Sequence, residues 1–486
     1  MPLAITETDK PVHIAIIGGG FCGVLTAIHL LRDNRLHLHI HLINKGSALA
    51  KGVAYDPHTA SLLLNVPNGK MSAFPDDPDH FMRWLSGTFL ADGPDKDKLA
   101  TAFSPRQHYG QYLTQLWNTA LHEHDANKRV TLYNDTADDI ITDGGLVHIQ
   151  LQNHAALTAD ITILATGNAQ PRLPTGIDPS LTKSKYYFAN PWKKDCIEGL
   201  DAENDILIIG NGLTMADTVV GLMEKGFGQT IHTISPHGYR LNACAEDIIP
   251  YTAFSFAGIA AHEMELYNLF KTFNKHRKLA LKLNQSVYPL IDSLRPHIQK
   301  IWMGFGLREK QQFIKYLKPF WEKVRHRLPV QMHRQLNAMA AKGKLITHKG
   351  YIVSIEEQGD KIDVTLNTNG QLKSFKVQRV INCIGPETDI NKPGNKLLNN
   401  LAKKGLIAQG PCGMGINACA EDGSVISLGT TTKQAHQPNL YVIGSNLKGM
   451  LWESTAVPEL RVQAKKLAQQ ILSGIYARQA QAVEQG

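Results

Sequence analysis

Two glycine-rich turns carry the most chemically specific pattern in this chain. The first, Gly18-Gly19-Gly20-Phe21-Cys22-Gly23, follows the apolar run Val12-His13-Ile14-Ala15-Ile16-Ile17. The second, Gly210-Asn211-Gly212-Leu213-Thr214-Met215-Ala216-Asp217, follows Asp205-Ile206-Leu207-Ile208-Ile209. Each spacing predicts a buried parallel strand that turns sharply into a helix. Where side chains are missing the backbone can approach a pyrophosphate, and the helix N-terminus favours its negative charge. Gly18, Gly20 and Gly23 are therefore candidate contacts at the first turn, and Gly210, Gly212 and Thr214 at the second. One such turn is commonplace. Two in the same strand–turn–helix setting imply two dinucleotide sites, most simply FAD and a nicotinamide.

The elements that must position these turns repeat in order. After the first come strand-like pieces at Val130–Tyr133, Leu146–Leu151 and Ile161–Gly167; after the second come Lys344–Thr347, Lys361–Leu366 and Arg379–Gly385. Both halves thus read as a glycine turn, a small sheet of hairpin strands, and a closing apolar strand ending in glycine. Gly167, at the first closing strand, lets the chain leave beside a cofactor without a side chain in the way. From about 245 to 341 hairpin signals vanish and amphipathic stretches such as Gln311–Arg327 predict a helical insertion. Apolar residues at helical spacing from Leu460 to Leu472 predict a terminal helix returning to the first domain.

The expected fold is α/β, with two dinucleotide-binding, Rossmann-like domains, the second inserted in the first. The first part of the FAD-binding domain spans 1–170, the NAD(P)H-binding domain with its helical insertion 171–385, and the second part of the FAD-binding domain 386–486. A chain of 486 residues is too long for one ordinary core. Hydrophobic content of 43% with a mean hydropathy of −0.21, no apolar run long enough to span a bilayer and no secretory signal together point to the cytoplasm. The net charge of +8 raises nucleic acid as a partner, but acidic residues interrupt the basic stretches, as in Arg308-Glu309-Lys310, and solvated helix faces explain them better. Cysteines at 22, 196, 244, 383, 412 and 419 form no Cys-x-x-Cys pair, which argues against a disulfide framework, a zinc site and a flavin disulfide reductase. His37, His39 and His41 alternate on one strand and spread along it, so a packed strand face is favoured over a metal site.

The cofactor choice depends on the residues just after each unit's second strand, where an acidic residue ordinarily binds ribose hydroxyls. Asn44 takes that place in the first unit; it can hydrogen-bond a ribose but carries no charge. In the second unit the strand ending at Ile234 leads into Ser235, His237 and Arg240, donors suited to a 2′-phosphate, so NADPH is favoured over NADH.

Longer strings add a family resemblance. They are Gly52-Val53-Ala54-Tyr55, Leu64-Asn65-Val66-Pro67, Met71-Ser72-Ala73-Phe74-Pro75-Asp76-Asp77-Pro78, Pro105-Arg106-Gln107-His108-Tyr109-Gly110, Gly212-Leu213-Thr214-Met215, Trp321 with Arg325-His326-Arg327, and Leu451-Trp452-Glu453-Ser454-Thr455-Ala456-Val457-Pro458-Glu459. Together they resemble a family of FAD/NAD(P)-binding proteins that includes FAD-dependent urate hydroxylase and aspartate N-monooxygenase, resembling flavin-containing monooxygenases. The resemblance implies that Asn65, Met71 and Ser72 lie along the flavin and that Arg106 begins a helix near the FAD phosphates. It also implies that a helix N-terminus near Thr455 stabilises negative charge on reduced flavin. Asn44 departs from the family's usual glutamate.

The expected activity is an FAD-dependent, NAD(P)H-consuming monooxygenase. It would hydroxylate a small polar substrate, an amine or other nitrogen compound among the candidates, with molecular oxygen, through a flavin hydroperoxide. No catalytic side chain can be named, because the cofactor does the chemistry. Arg295, His326 and Arg327 in the insertion are candidate contacts for an anionic or nitrogen-rich substrate. Two alternatives remain open: an FAD/NAD(P)H oxidoreductase passing electrons to an acceptor other than oxygen, and a non-catalytic nucleotide sensor. Substrate identity and oligomeric state are not encoded in any of these patterns.

Overall fold

The computed structural model describes residues 10–46, 49–57, 59–89, 95–244, 251, 265–392, 394–427 and 436–485. Its frame is two parallel sheets of matching order. The first runs Ser424–Ile426, His436–Val442, Ile161–Leu164, Val12–Ile17, Leu38–Asn44, Val130–Asn134, with only the Ser424–Ile426 edge antiparallel. The second runs Leu345–Lys349, Ile231–Ser235, Ile206–Ile209, Arg379–Asn382, Tyr187–Phe188, parallel throughout. In both, the strand before a glycine turn is central. The next strand in sequence lies on one side of it and the closing strand on the other. The central strands are almost wholly apolar because both faces are covered, one by helices and the other mainly by an antiparallel meander; Ile206, Leu207 and Ile208 are fully buried.

Each sheet carries a three-stranded antiparallel meander between its edge strand and its closing strand. The first is Ala137–Asp143, Leu146–Leu151 and Leu157–Ala159; the second is Tyr351–Gln358, Lys361–Thr368 and Gln371–Val377. The order read from the sequence is therefore right, but two of its pieces belong elsewhere. Val130–Asn134 and Leu345–Lys349 pair in parallel at the sheet edges and are not hairpin strands.

The helix Val457–Gln485 packs along the first helix, Phe21–Leu31. Leu460, Ala464, Leu467, Ala468 and Ile471 share a core with Val24, Leu25 and Ile28, as the helical spacing predicts. The segment expected to be a helical insertion is helical from Leu266–Lys282 through Val330–Ala341, interrupted by a π-helical turn at Phe313–Leu317 and a short strand at Arg327–Leu328. The start of that segment, 245–264 apart from Tyr251, lies outside the described residues.

Candidate functional site: two glycine turns and the cleft between them

At the first turn each glycine has its own reason. Gly18 has φ +116°, and a Cβ there would come within 2.2 Å of the Ala165 carbonyl oxygen on the closing strand. A Cβ on Gly23 would lie 1.9 Å from the Gly18 carbonyl oxygen, so helix and turn pack too tightly for any side chain. Gly20 is different: a Cβ would meet only Gly52 Cα, at 3.8 Å, and would project into open space. The helix Phe21–Leu31 starts there with no side-chain cap and no acidic residue in its first turn. Its first N–H groups therefore await an acceptor, and the helix dipole favours an anionic one. This turn fits a pyrophosphate. Gly167, at φ +67° with nothing near its missing Cβ, leaves the adjoining edge of the groove open.

Asn44 stands at the end of its strand as expected, with its amide engaged locally. Its Oδ1 accepts from the Gly19 N–H at 3.1 Å and its Nδ2 donates to the Gly46 carbonyl at 2.8 Å. It thus holds the turn in shape. Asn65 is exposed, whereas Met71 is 1% exposed and packs in the core. Ser72 is fully buried, and its Oγ donates within its own loop to the Asp77 carbonyl at 2.6 Å, while its carbonyl accepts from Arg461 at 2.9 Å.

Arg106 begins the helix Arg106–His122, as the sequence suggests, but its guanidinium is committed elsewhere. Nη2 donates to Asp217 Oδ2 at 2.7 Å and Nε to the Leu63 carbonyl at 3.0 Å. Asp217 lies on the helix of the second glycine turn, and both side chains are under 10% exposed. Burial pushes the Asp217 carboxyl upward and Arg106 pulls it back. The pair is a bracket between the two nucleotide units, and no reading of one sequence segment alone would find it.

The second turn repeats the first. Gly210 has φ +108°, and a Cβ there would lie 2.6 Å from the Cys383 carbonyl oxygen. Gly212 opens the uncapped helix Leu213–Glu224, with nothing within 4 Å of a Cβ and no acidic residue in the first turn. Met215 takes the place of the third glycine. Both side-chain polar atoms of Asn211 are buried without a partner among the described residues, as expected where a polar ligand completes a turn. Thr214 is half-buried on that first helical turn. Beyond the neighbouring strand, Ser235 Oγ accepts from the Gly238 N–H at 3.1 Å. His237 is exposed and stacks on Tyr239 with centroids 5.2 Å apart. Arg240 is exposed, with no hydrogen bond or ion pair among the described residues.

Residues 15–169 match the FAD-NAD(P)-binding family. They form an FAD–NAD(P)-binding segment. No curated protein sequence matches the chain. Among solved structures, the chain is similar to the Kutzneria sp. 744 ornithine N-hydroxylase, whose structure is described with reduced FAD, NADP+ and L-ornithine. That match has 13% identity and a TM-score of 0.61, over 97% of this chain and 100% of the other. It is also similar to the FAD-bound cadaverine monooxygenase of Erwinia amylovora, at 11% identity, TM-score 0.62 and 95% of each chain. A third similar structure is the bacillithiol disulfide reductase of Bacillus cereus, at 13% identity, TM-score 0.54, over 96% and 99%. At these identities the likeness establishes the fold, α/β with dinucleotide-binding units, along the whole chain.

The FAD–NAD(P)-binding segment faces a charged cluster contributed by the helical insertion and the turn before the terminal helix. Arg295 grips Glu459 through two bonds, of 2.8 and 3.1 Å. Arg327 pairs with Asp292, and Arg325 Nε lies 3.5 Å from Glu453 Oε2. Glu453 has φ +65°, an unusual backbone conformation for a glutamate, and its Oε1 also accepts from Trp321 Nε1 at 2.7 Å. Burial holds the Arg325 guanidinium and the His326 imidazole below their usual ranges. Lys70, which closes the loop after Asn65, is exposed yet feels the charges of Arg295, Asp292, Arg327 and Arg325, and partial desolvation lowers its ammonium. Lys70 makes no ion pair among the described residues. Arg295, His326 and Arg327, singled out in the sequence, thus come together. Glu459 closes one of the strings that carry the family resemblance, whereas Lys70 and Asp292 were not singled out, and nothing in their local sequence distinguishes them. Thr455 is exposed in the turn that carries Glu453.

Two other expectations concern cysteine and histidine. All six cysteines are unpaired, and burial pushes the thiols of Cys22, Cys196 and Cys383 up to about 12, which removes the thiolate that a disulfide relay needs. His39 and His41 lie against His13 and Tyr133, with His13 Nδ1 and His41 Nε2 2.9 Å apart; His39 also bonds Thr131 at 2.8 Å. No group of three potential ligands able to hold a metal occurs among the described residues, and no helix there is long and apolar enough to cross a membrane.

Proposed function

We propose that the protein is an FAD-dependent, NAD(P)H-consuming monooxygenase that hydroxylates a small nitrogen-bearing molecule. The observation that carries this reading is the pair of uncapped glycine turns on sheets of matching order. Each has its middle glycine facing open space, and the Arg106–Asp217 bracket ties them together. Two similar structures bear the names of amine monooxygenases, which supports the substrate class.

In this reading the chain's residues bind, orient and shield. The N-terminus of Phe21–Leu31 receives the FAD pyrophosphate and that of Leu213–Glu224 the nicotinamide dinucleotide. Asn44 fixes the first turn, and Asn65 borders the flavin. Ser235 and Arg240 meet a 2′-phosphate, which favours NADPH. When bound, FAD supplies hydride acceptance and oxygen activation. The paired arginines neutralise Glu453 and Glu459 beneath the turn bearing Thr455, leaving Lys70 to attract an anionic group of the substrate.

An oxidoreductase passing electrons to another acceptor shares the same turns, but the protonated, dispersed thiols give no support to a disulfide acceptor. The deciding experiment follows NADPH oxidation and oxygen uptake by the FAD-loaded chain with a panel including ornithine, lysine and cadaverine. Equal consumption of both, matched by an N-hydroxylated product, is expected for one member of such a panel. NADPH oxidation with an anaerobic acceptor and no oxygenated product would favour the second reading. No NADPH oxidation at all would favour a nucleotide sensor.

A further inference from the structure

The positive charge of the chain is concentrated in the helical insertion. Between 266 and 325 stand thirteen lysines and arginines against three acidic residues, so the rest of the chain has a slight acidic excess. The helix Leu266–Lys282 carries the densest share and contains no acidic residue. Lys271, Lys275, Lys278 and Lys282 recur at intervals of four, three and four, which sets them in one stripe along the helix. All four are exposed, and none forms an ion pair among the described residues. The opposite side of the helix is anchored: Leu266, Leu269 and Phe273 pack against the core of the insertion, and Ala280 is fully buried. The lysine stripe therefore faces solvent.

Large apolar side chains border that stripe. Tyr267, Leu281 and Leu283 are each more than half exposed, and Phe270 is 43% exposed. Phe270 lines one pocket together with Phe320, itself 58% exposed, so the apolar surface continues onto the helix Lys318–Arg325. Lysines beside exposed aromatic and aliphatic side chains are the make-up of a helix that lies in a membrane interface. The lysine stems can run along the apolar groups while their ammonium ends reach lipid phosphates.

We propose that this face docks on a bilayer bearing anionic headgroups, lying on its surface without spanning it. The mixture of side chains selects that partner. Protein interfaces are enriched in arginine and depleted in lysine, and this stripe is lysine alone. Nucleic acid would take up the charge but leave Leu281 and Leu283 in water, whereas lipid takes up both. Each lysine near an anionic surface strengthens binding about fivefold, so four suffice for a reversible attachment. Docking is independent of the reaction performed in the flavin groove.

The test is sedimentation of the FAD-loaded chain with vesicles of phosphatidylcholine alone and of phosphatidylcholine mixed equally with phosphatidylglycerol. Binding to the anionic vesicles only is expected, weakening as salt is raised. Lys271→Ala/Lys278→Ala, at exposed positions where alanine suits a helix, should weaken it roughly twenty-fivefold with flavin content unchanged. Tyr267→Trp should bind as the wild type does, and its added emission should be quenched by lipids brominated on their acyl chains. Equal binding to both vesicles, binding to neither, a lysine variant bound as tightly as the wild type, or no added quenching in Tyr267→Trp would overturn the proposal. Preference for duplex DNA or polyglutamate over the anionic vesicles would overturn it too, and would give the face to an acidic macromolecule.

Discussion

The Arg106–Asp217 pair offers the sharpest structural test. Asp217→Ala leaves a guanidinium that is 9% exposed, with the Leu63 carbonyl as its remaining described hydrogen-bond acceptor and the Trp192 ring centroid 5.7 Å away. Breaking a buried pair by removing one member costs roughly 3–5 kcal/mol, because the surviving charge stays desolvated. Arg106→Met/Asp217→Leu removes both charges and restores apolar packing. Its residual cost is the orphaned Leu63 carbonyl, about 1–2 kcal/mol. The double variant should therefore be more stable than Asp217→Ala. The assay is urea unfolding of the FAD-loaded chain, followed by circular dichroism and by flavin release. A single-variant loss below about 1 kcal/mol, or a double variant no better than the single, would refute the bracket. The double variant should also retain FAD; flavin loss under native conditions would return Arg106 to a phosphate-binding role.

Other expectations concern the groove and the histidines. Gly20→Glu should fold, since its side chain enters open space, and should lose FAD; full flavin occupancy in a folded variant would reassign the first turn. Arg240→Ala should weaken NADPH about tenfold to a hundredfold and spare NADH, measured as apparent affinity in flavin reduction; equal losses would make it an ordinary surface cation. His41 and His348 are buried beside other histidines, and burial lowers both from 6.5 to about 4. The unfolded chain thus takes up protons the folded one refuses, so their contribution is present above pH 6.5 and lost as pH falls towards 4. His41→Gln should flatten the decline in urea midpoint across that window; an unchanged slope would place the acid sensitivity elsewhere.

The strand–turn–helix units were legible because their signals are local: Gly18 and Gly210 need positive φ, and the preceding strands are apolar on both faces. The helical insertion and the terminal helix were legible through their periodicity. The meander strands were only partly so. Tyr351–Gln358 is largely exposed and barely alternates, and Val130–Asn134 looks the same whether it pairs in a hairpin or at a sheet edge. The cleft was least legible, since its contacts join distant segments: Arg106 to Asp217, Arg295 to Glu459, Trp321 to Glu453. Asn44 shows a further limit, because a residue placed by spacing at a ribose also serves the turn's own backbone.

The most direct test of the central claim, that the two turns hold different dinucleotides and act as one enzyme, is anaerobic mixing of the FAD-loaded chain with NADPH. The wild-type flavin's visible absorbance should bleach, whereas Gly212→Glu should keep its FAD and fail to bleach. Equal bleaching of both proteins, or loss of FAD from Gly212→Glu with nicotinamide binding intact, would contradict the account.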